Sequence, residues 1–154
     1  MNTLLLLLAL AAPAGSDADA AAQSDDGPAC SVTAHAVDRE GRTRSARRVS
    51  ASAIPGIVFR GRVAARDEVE RPLLFDVYNP RGHRYQVLLA TPRVVTRERD
   101  GQRFERTTRT REAALAVAGS SIAWTSMYGK WRVEPRIDGE TKPCGRAEYF
   151  TVRP

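Results

Sequence analysis

The chain has 154 residues, 42% of them hydrophobic, with 24 Lys+Arg against 18 Asp+Glu and a formal charge of +6. That length is the usual size of one domain and allows a core that does not depend on a disulfide. Two Cys and two distant His are too few for a metal centre, so neither a metal nor a cofactor is expected.

Leu4 to Leu8 is an unbroken leucine run, and Ala9 to Ala12 extends it to nine apolar residues. A bilayer span takes about 20, so the run reads as the core of a secretory signal. Small residues follow, and of the sites that fit the small-x-small rule the Ala20–Ala22 region is favoured, because cleavage at Ala14 would leave an unusually short signal; no Lys or Arg precedes the leucines. The alternative is a buried N-terminal helix or strand. The expected organisation is a signal peptide over 1–22, a flexible lead over 23–29 and a single β domain over 30–154. The product is expected to be exported, periplasmic or secreted, with no membrane span in its mature form.

Loss of Asp17 and Asp19 with the leader would raise the formal charge from +6 to +8. Lysine occurs only at positions 130 and 142, so the positive charge is almost all arginine. That bias fits guanidinium chemistry toward carboxylates, phosphates and sulfates, and it equally fits GC-rich codon usage. Cys30 and Cys144 form an even pair near the two ends of the mature chain, which in an exported protein predicts a disulfide. A lipid-anchored Cys30 is the alternative, set back by Asp25, Asp26 and the distance from the leucine run.

From Cys30 to Val37 the pattern is β, ending in a turn at Asp38–Gly41. Arg42 to Ser52 is polar and basic and reads as a loop. In the next strand Ile57, Phe59 and Val63 share one parity, and Gly61 marks a bulge or a close approach. Asp67, Glu68 and Glu70 then read as a solvated turn. A hairpin follows, with Phe75 and Val77 inward, Asp76 outward, a turn at Asn79–Gly82, and Tyr85, Val87 and Leu89 on one face.

Asp100-Gly101 is a type I′ turn signal, and a two-residue loop there would set Arg99 opposite Gln102, Glu98 opposite Arg103 and Arg97 opposite Phe104. Seven arginines lie between Arg93 and Arg111, offset by Glu98, Asp100, Glu105 and Glu112 to a net +3. The expectation is a hairpin projecting into solvent, with a charged helix over 107–118 as the competing reading. Ile122 to Tyr128 reads as a connector or strand. Trp131, Val133 and Ile137 alternate with Arg132, Glu134 and Arg136, and Tyr149 to Val152 forms the last strand. Trp124 and Tyr128 read as a core edge or as flanks of a carbohydrate-binding face.

Gly129-Lys130-Trp131-Arg132-Val133, Ile137-Asp138-Gly139 and Phe150-Thr151-Val152 resemble the closing strands of immunoglobulin-like sandwiches of bacterial exported proteins, over roughly 54–152. The resemblance implies an all-β, antiparallel, two-sheet Ig-like sandwich with a protruding Arg-rich hairpin, and a binding or accessory role without a substrate. The antibody-type Cys–Trp–Cys spacing is absent.

No nucleophile elbow, phosphate loop or His-Glu-x-x-His helix occurs, and His35 and His83 read as a strand residue and a turn residue. No enzyme is therefore expected. The candidate binding residues are Arg97, Arg99, Arg103, Arg106 and Arg109. A bland reading makes them the charges that block edge-to-edge pairing of a hairpin. A functional one makes them a contact for a protein partner or, alternatively, for an anionic envelope polysaccharide or lipopolysaccharide. Interleaved acids and the export signal argue against nucleic acid.

Overall fold

The computed structural model describes residues 29–64 and 71–154. The expected signal peptide, its cleavage region and the acidic turn at Asp67–Glu70 lie outside them. The strands are β1 (Cys30–Val37), β2 (Thr43–Ser45), β3 (Arg48–Ser50), β4 (Gly56–Val63), β5 (Leu73–Tyr78), β6 (Arg84–Arg99), β7 (Gln102–Ala116), β8 (Gly129–Ile137) and β9 (Glu148–Arg153). One four-residue helix, α1 (Ser121–Trp124), is N-capped by Ser120, whose side chain accepts from the Ile122 amide.

The nine strands form one sheet in the order β2-β1-β4-β7-β6-β5-β8-β9-β3, not the two separate sheets expected. All pairs are antiparallel except β3 with β9, which is parallel. The reason is β6, sixteen residues long, which serves both halves. Its first part, through Ala90, pairs with β5, and from Thr91 it pairs with β7. The change of partner falls beside a register shift between Pro92 and Val94, a place where a residue without an N–H is tolerated.

The sheet folds back on itself. β4 and β9 stand five places apart in the order, about 24 Å in a flat sheet. Yet the rings of Phe59 on β4 and Phe150 on β9 have centroids 5.7 Å apart. Between the two layers lie Phe59, Phe75, Phe150, Trp131, Ile57, Leu73 and Leu115, all fully buried. Trp131 stacks on Phe150 at 6.1 Å, meets Tyr85 edge-on at 5.2 Å and donates its ring N–H to the Met127 carbonyl at 3.0 Å. Gly61 is a close approach: a Cβ there would lie 2.8 Å from the Ser31 carbonyl oxygen and 2.9 Å from Phe75 Cζ. Cys30 and Cys144 form the disulfide, with Cα atoms 5.4 Å apart.

Several local expectations change. The stretch expected as a loop over 42–52 holds β2 and β3, with Ala46, Val49 and Ala51 buried. Residues 107–116 continue β7, so the competing helix is not formed, and the connector after Ser120 contains α1. On β6 the inward residues are Leu88 and Ala90, while Val87 and Leu89 are 41% and 59% exposed. A register shift at Val77/Tyr78 accounts for this, because one extra residue lets Tyr85 face the core and reverses the parity beyond it. Asp76 alternates with the inward Phe75 and Val77, yet on its own face it is only 4% exposed, covered by Arg136.

Candidate cationic groove

The β6–β7 pair outruns its neighbour. β4 accompanies β7 only as far as Gly61 opposite Arg111, whereas β6 and β7 stay paired to Arg99 opposite Gln102. Asp100 and Gly101 turn the chain with φ of 53° and 73°, as a type I′ turn requires, and Glu98 faces Arg103 while Arg97 faces Phe104. In an antiparallel ladder directly opposed residues share a face and successive residues alternate. Val95, Arg97, Arg99, Gln102, Phe104 and Arg106 therefore occupy one face of the pair. Thr96, Glu98, Arg103, Glu105 and Thr107 occupy the other.

This alternation separates charges that the sequence interleaves. Glu98 and Glu105 fall on the same face as Arg103, and Arg103 Nη2 lies 3.4 Å from Glu105 Oε1. The opposite face carries Arg97, Arg99 and Arg106 with no carboxylate among them, and only Arg99 reaches an acid, Asp100 at the tip, at 3.6 Å. Among the described residues neither Arg97 nor Arg106 has an acidic partner within 4.0 Å. A net +3 stretch is thus resolved into a cationic side and a near-neutral side.

Where β4 stops and the pair continues, this face forms a groove of about 690 Å³. It is lined by Arg62 and Val63 from β4, Val95 and Arg97 from β6, and Phe104 and Arg106 to Arg109 from β7. No described lining residue is acidic. Arg62 donates to Thr110 Oγ1 at 3.2 Å, which holds its guanidinium toward β7. Phe104 is 53% exposed at the centre of the face.

Of the five arginines singled out in the sequence, the structure brings Arg97, Arg106 and Arg109 into the groove. Arg99 lies on the same face nearer the tip, and Arg103 lies on the other side. The groove residues that sequence reasoning missed are Arg62, Val63 and Val95, whose convergence depends on where β4 ends. A second, smaller concavity of about 290 Å³ lies at the other end of β6, between the Asn79–His83 turn and Thr125–Tyr128. Its wall is ordered by Asn79 Oδ1, which accepts from the amides of Arg81 and His83 at 3.0 and 3.1 Å. Tyr128 packs against the core while Trp124 is 81% exposed and does not line this space.

His35 sits apart from both. It shares a hydrogen bond with Thr33 Oγ1 at 3.0 Å, and burial, then Arg60 and Arg93, hold its pKa below the ordinary histidine value. The folded chain therefore resists protonating it, while the unfolded chain does not. Its contribution to stability is complete above the histidine range and declines as pH falls through it. Thermal melts between about pH 8 and pH 5 are expected to show a loss that is smaller in His35→Gln. Identical pH profiles for the two proteins would remove His35 as the cause.

Among the described residues no group of three or more His, Cys, Asp or Glu is placed to hold a metal ion. No described helix is long and apolar enough to cross a membrane. Comparison with protein-family models, curated proteins and solved structures gives no match for this chain.

Proposed function

We propose that this chain is an exported, non-enzymatic binding or accessory module, an Ig-like β domain whose working surface is the cationic face of the β6–β7 pair. The disulfide is compatible with an oxidising compartment. The facing of β4 on β9 through Phe59 and Phe150 supports a layered, sandwich-like description. One observation carries the reading: strand alternation places Arg97 and Arg106, neither with a described acidic partner, beside Phe104 in a groove that no described acid lines. Guanidinium groups in such an array favour carboxylates, phosphates and sulfates. An anionic envelope polysaccharide or lipopolysaccharide meets that requirement directly. A protein partner meets it only through an acidic surface.

Retention on immobilised heparin, a polysulfated probe, tests the face. The native protein is expected to be retained at about 0.15 M salt and released as screening rises. Arg97→Ser with Arg106→Ser should elute much earlier, while the charge-matched control Arg44→Ser with Arg103→Ser should elute close to native. Equal losses in the two double variants would reduce the effect to net charge, and the proposed site would fall.

A further inference from the structure

Arginines alone would suffice for a polyanion, but this groove is not lined by arginines alone. Val63 and Val95 are half-buried in its wall, and Phe104, directly opposite Arg97, is 53% exposed. On the opposite face Thr96, Glu98, Arg103 and Glu105 are polar, with Val94 the exposed apolar residue there. A bare phosphate or sulfate engaging Arg97 and Arg106 would leave the phenyl ring and both valines wet. A ligand with an apolar portion next to its anionic group would remove that surface from water, at about 25 cal/mol per Å². The volume of about 690 Å³ suits one small amphiphile better than an extended chain.

Resting on the anionic-ligand reading above, we infer that the groove takes an anionic amphiphile: a phosphate-bearing lipid headgroup. Its phosphate lies against Arg62, Arg97 and Arg106, and the first part of its acyl chain lies along Val63, Val95 and Phe104. Charge complementarity selects the headgroup, and the exposed ring selects the chain. The same chemistry is present in a glycerophospholipid and in the phosphorylated lipid of lipopolysaccharide.

Calorimetric titration of the full chain with monomeric dihexanoyl phosphatidylglycerol tests this. Glycerol phosphate and dihexanoyl phosphatidylcholine, at equal ionic strength, are the comparisons. The anionic lipid is expected to bind about tenfold more tightly than glycerol phosphate, because the chain is buried, and about tenfold more tightly than the zwitterionic lipid. Phe104→Ser should abolish the gain from the chain while leaving glycerol phosphate binding unchanged, and Phe104→Leu should keep most of it. Equal binding of lipid and headgroup, or a Phe104→Ser variant that behaves as native, overturns the inference.

Heparin retention separates the two levels. Retention that depends on Arg97 and Arg106 without lipid preference sinks only the amphiphile, and loss of both sinks the anionic-ligand reading as well. Displacement of the short-chain lipid by phosphatidylglycerol vesicles or by deep-rough lipopolysaccharide names the source, and displacement by neither overturns the inference.

Discussion

Replacing Cys30 and Cys144 together by serine is expected to lower the unfolding free energy by about 4 kcal/mol, the effect of reopening a loop of this length in the unfolded chain. The two residues are 114 apart in sequence, so the cross-link restricts nearly all of the described chain when it is unfolded. Little of that gain is expected to be lost to strain, because the backbone already brings the partners together. The Cys30 amide donates to the Cys144 carbonyl at 3.0 Å, and the Cys144 amide donates to the Pro135 carbonyl at 2.9 Å. Gly145 completes the fit, since a Cβ there would run into the Cys30 carbonyl. Urea unfolding of the oxidised protein and the double-serine variant measures the difference. A loss below about 1 kcal/mol would mean that the closing loop is held by its hydrogen bonds alone.

The second large effect is expected at Asp76. It is 4% exposed, the only buried charged side chain among the described residues, and Arg136 grips it through Nε at 2.6 Å and Nη2 at 3.3 Å. Arg84 stands further off at 3.9 Å, and Arg136 also donates to the Glu140 carbonyl. Asp76→Ala strands a largely buried guanidinium and is expected to cost about 3 kcal/mol. Asp76→Leu with Arg136→Met removes both charges and keeps the volume, so it should recover most of that loss. Chemical denaturation of the singles and the double gives the coupling directly. Additive losses would show that the pair acts as two separate solvated groups.

Much of the fold is legible in local pattern. Trp131, Val133 and Ile137 are inward as their alternation requires, and Asp100-Gly101 sets the register of the pair it joins. The edge strands were not legible, because β2 and β3 are three residues each and pair on one side only, so no period can show in them. The inward face of β6 departs from its sequence pattern for a different reason. The register shift between Val77 and Tyr78 leaves Tyr85 as an extra residue, visible only in the pairing with β5, and a one-residue offset inverts every side chain beyond it. The single sheet, likewise, follows from β6 changing partner at Thr91, a tertiary event that the strand's own residues do not announce.

The candidate groove is an intermediate case. The seven arginines were plain, and their separation from the acids was latent in the odd and even positions of 97–106. A net charge counted along the chain hid it, since it sums two faces that never meet the same ligand. Arg62 and Val63 required knowing that β4 stops there while its neighbour goes on.

The two outermost strands of the sheet, β2 and β3, are separated in sequence only by Ala46 and Arg47. A single stretch from Thr43 to Ser50 thus covers the rim left by β1 and the rim left by β9, with Ala46 fully buried at the crossing. One clasp guards two doors. It pairs with three residues at each rim, His35–Val37 of β1 and Thr151–Arg153 of β9. Loss of that pairing would bare the C-terminal ends of β1 and β9 together, so the protection of both rims is tied to one short, arginine-bearing segment.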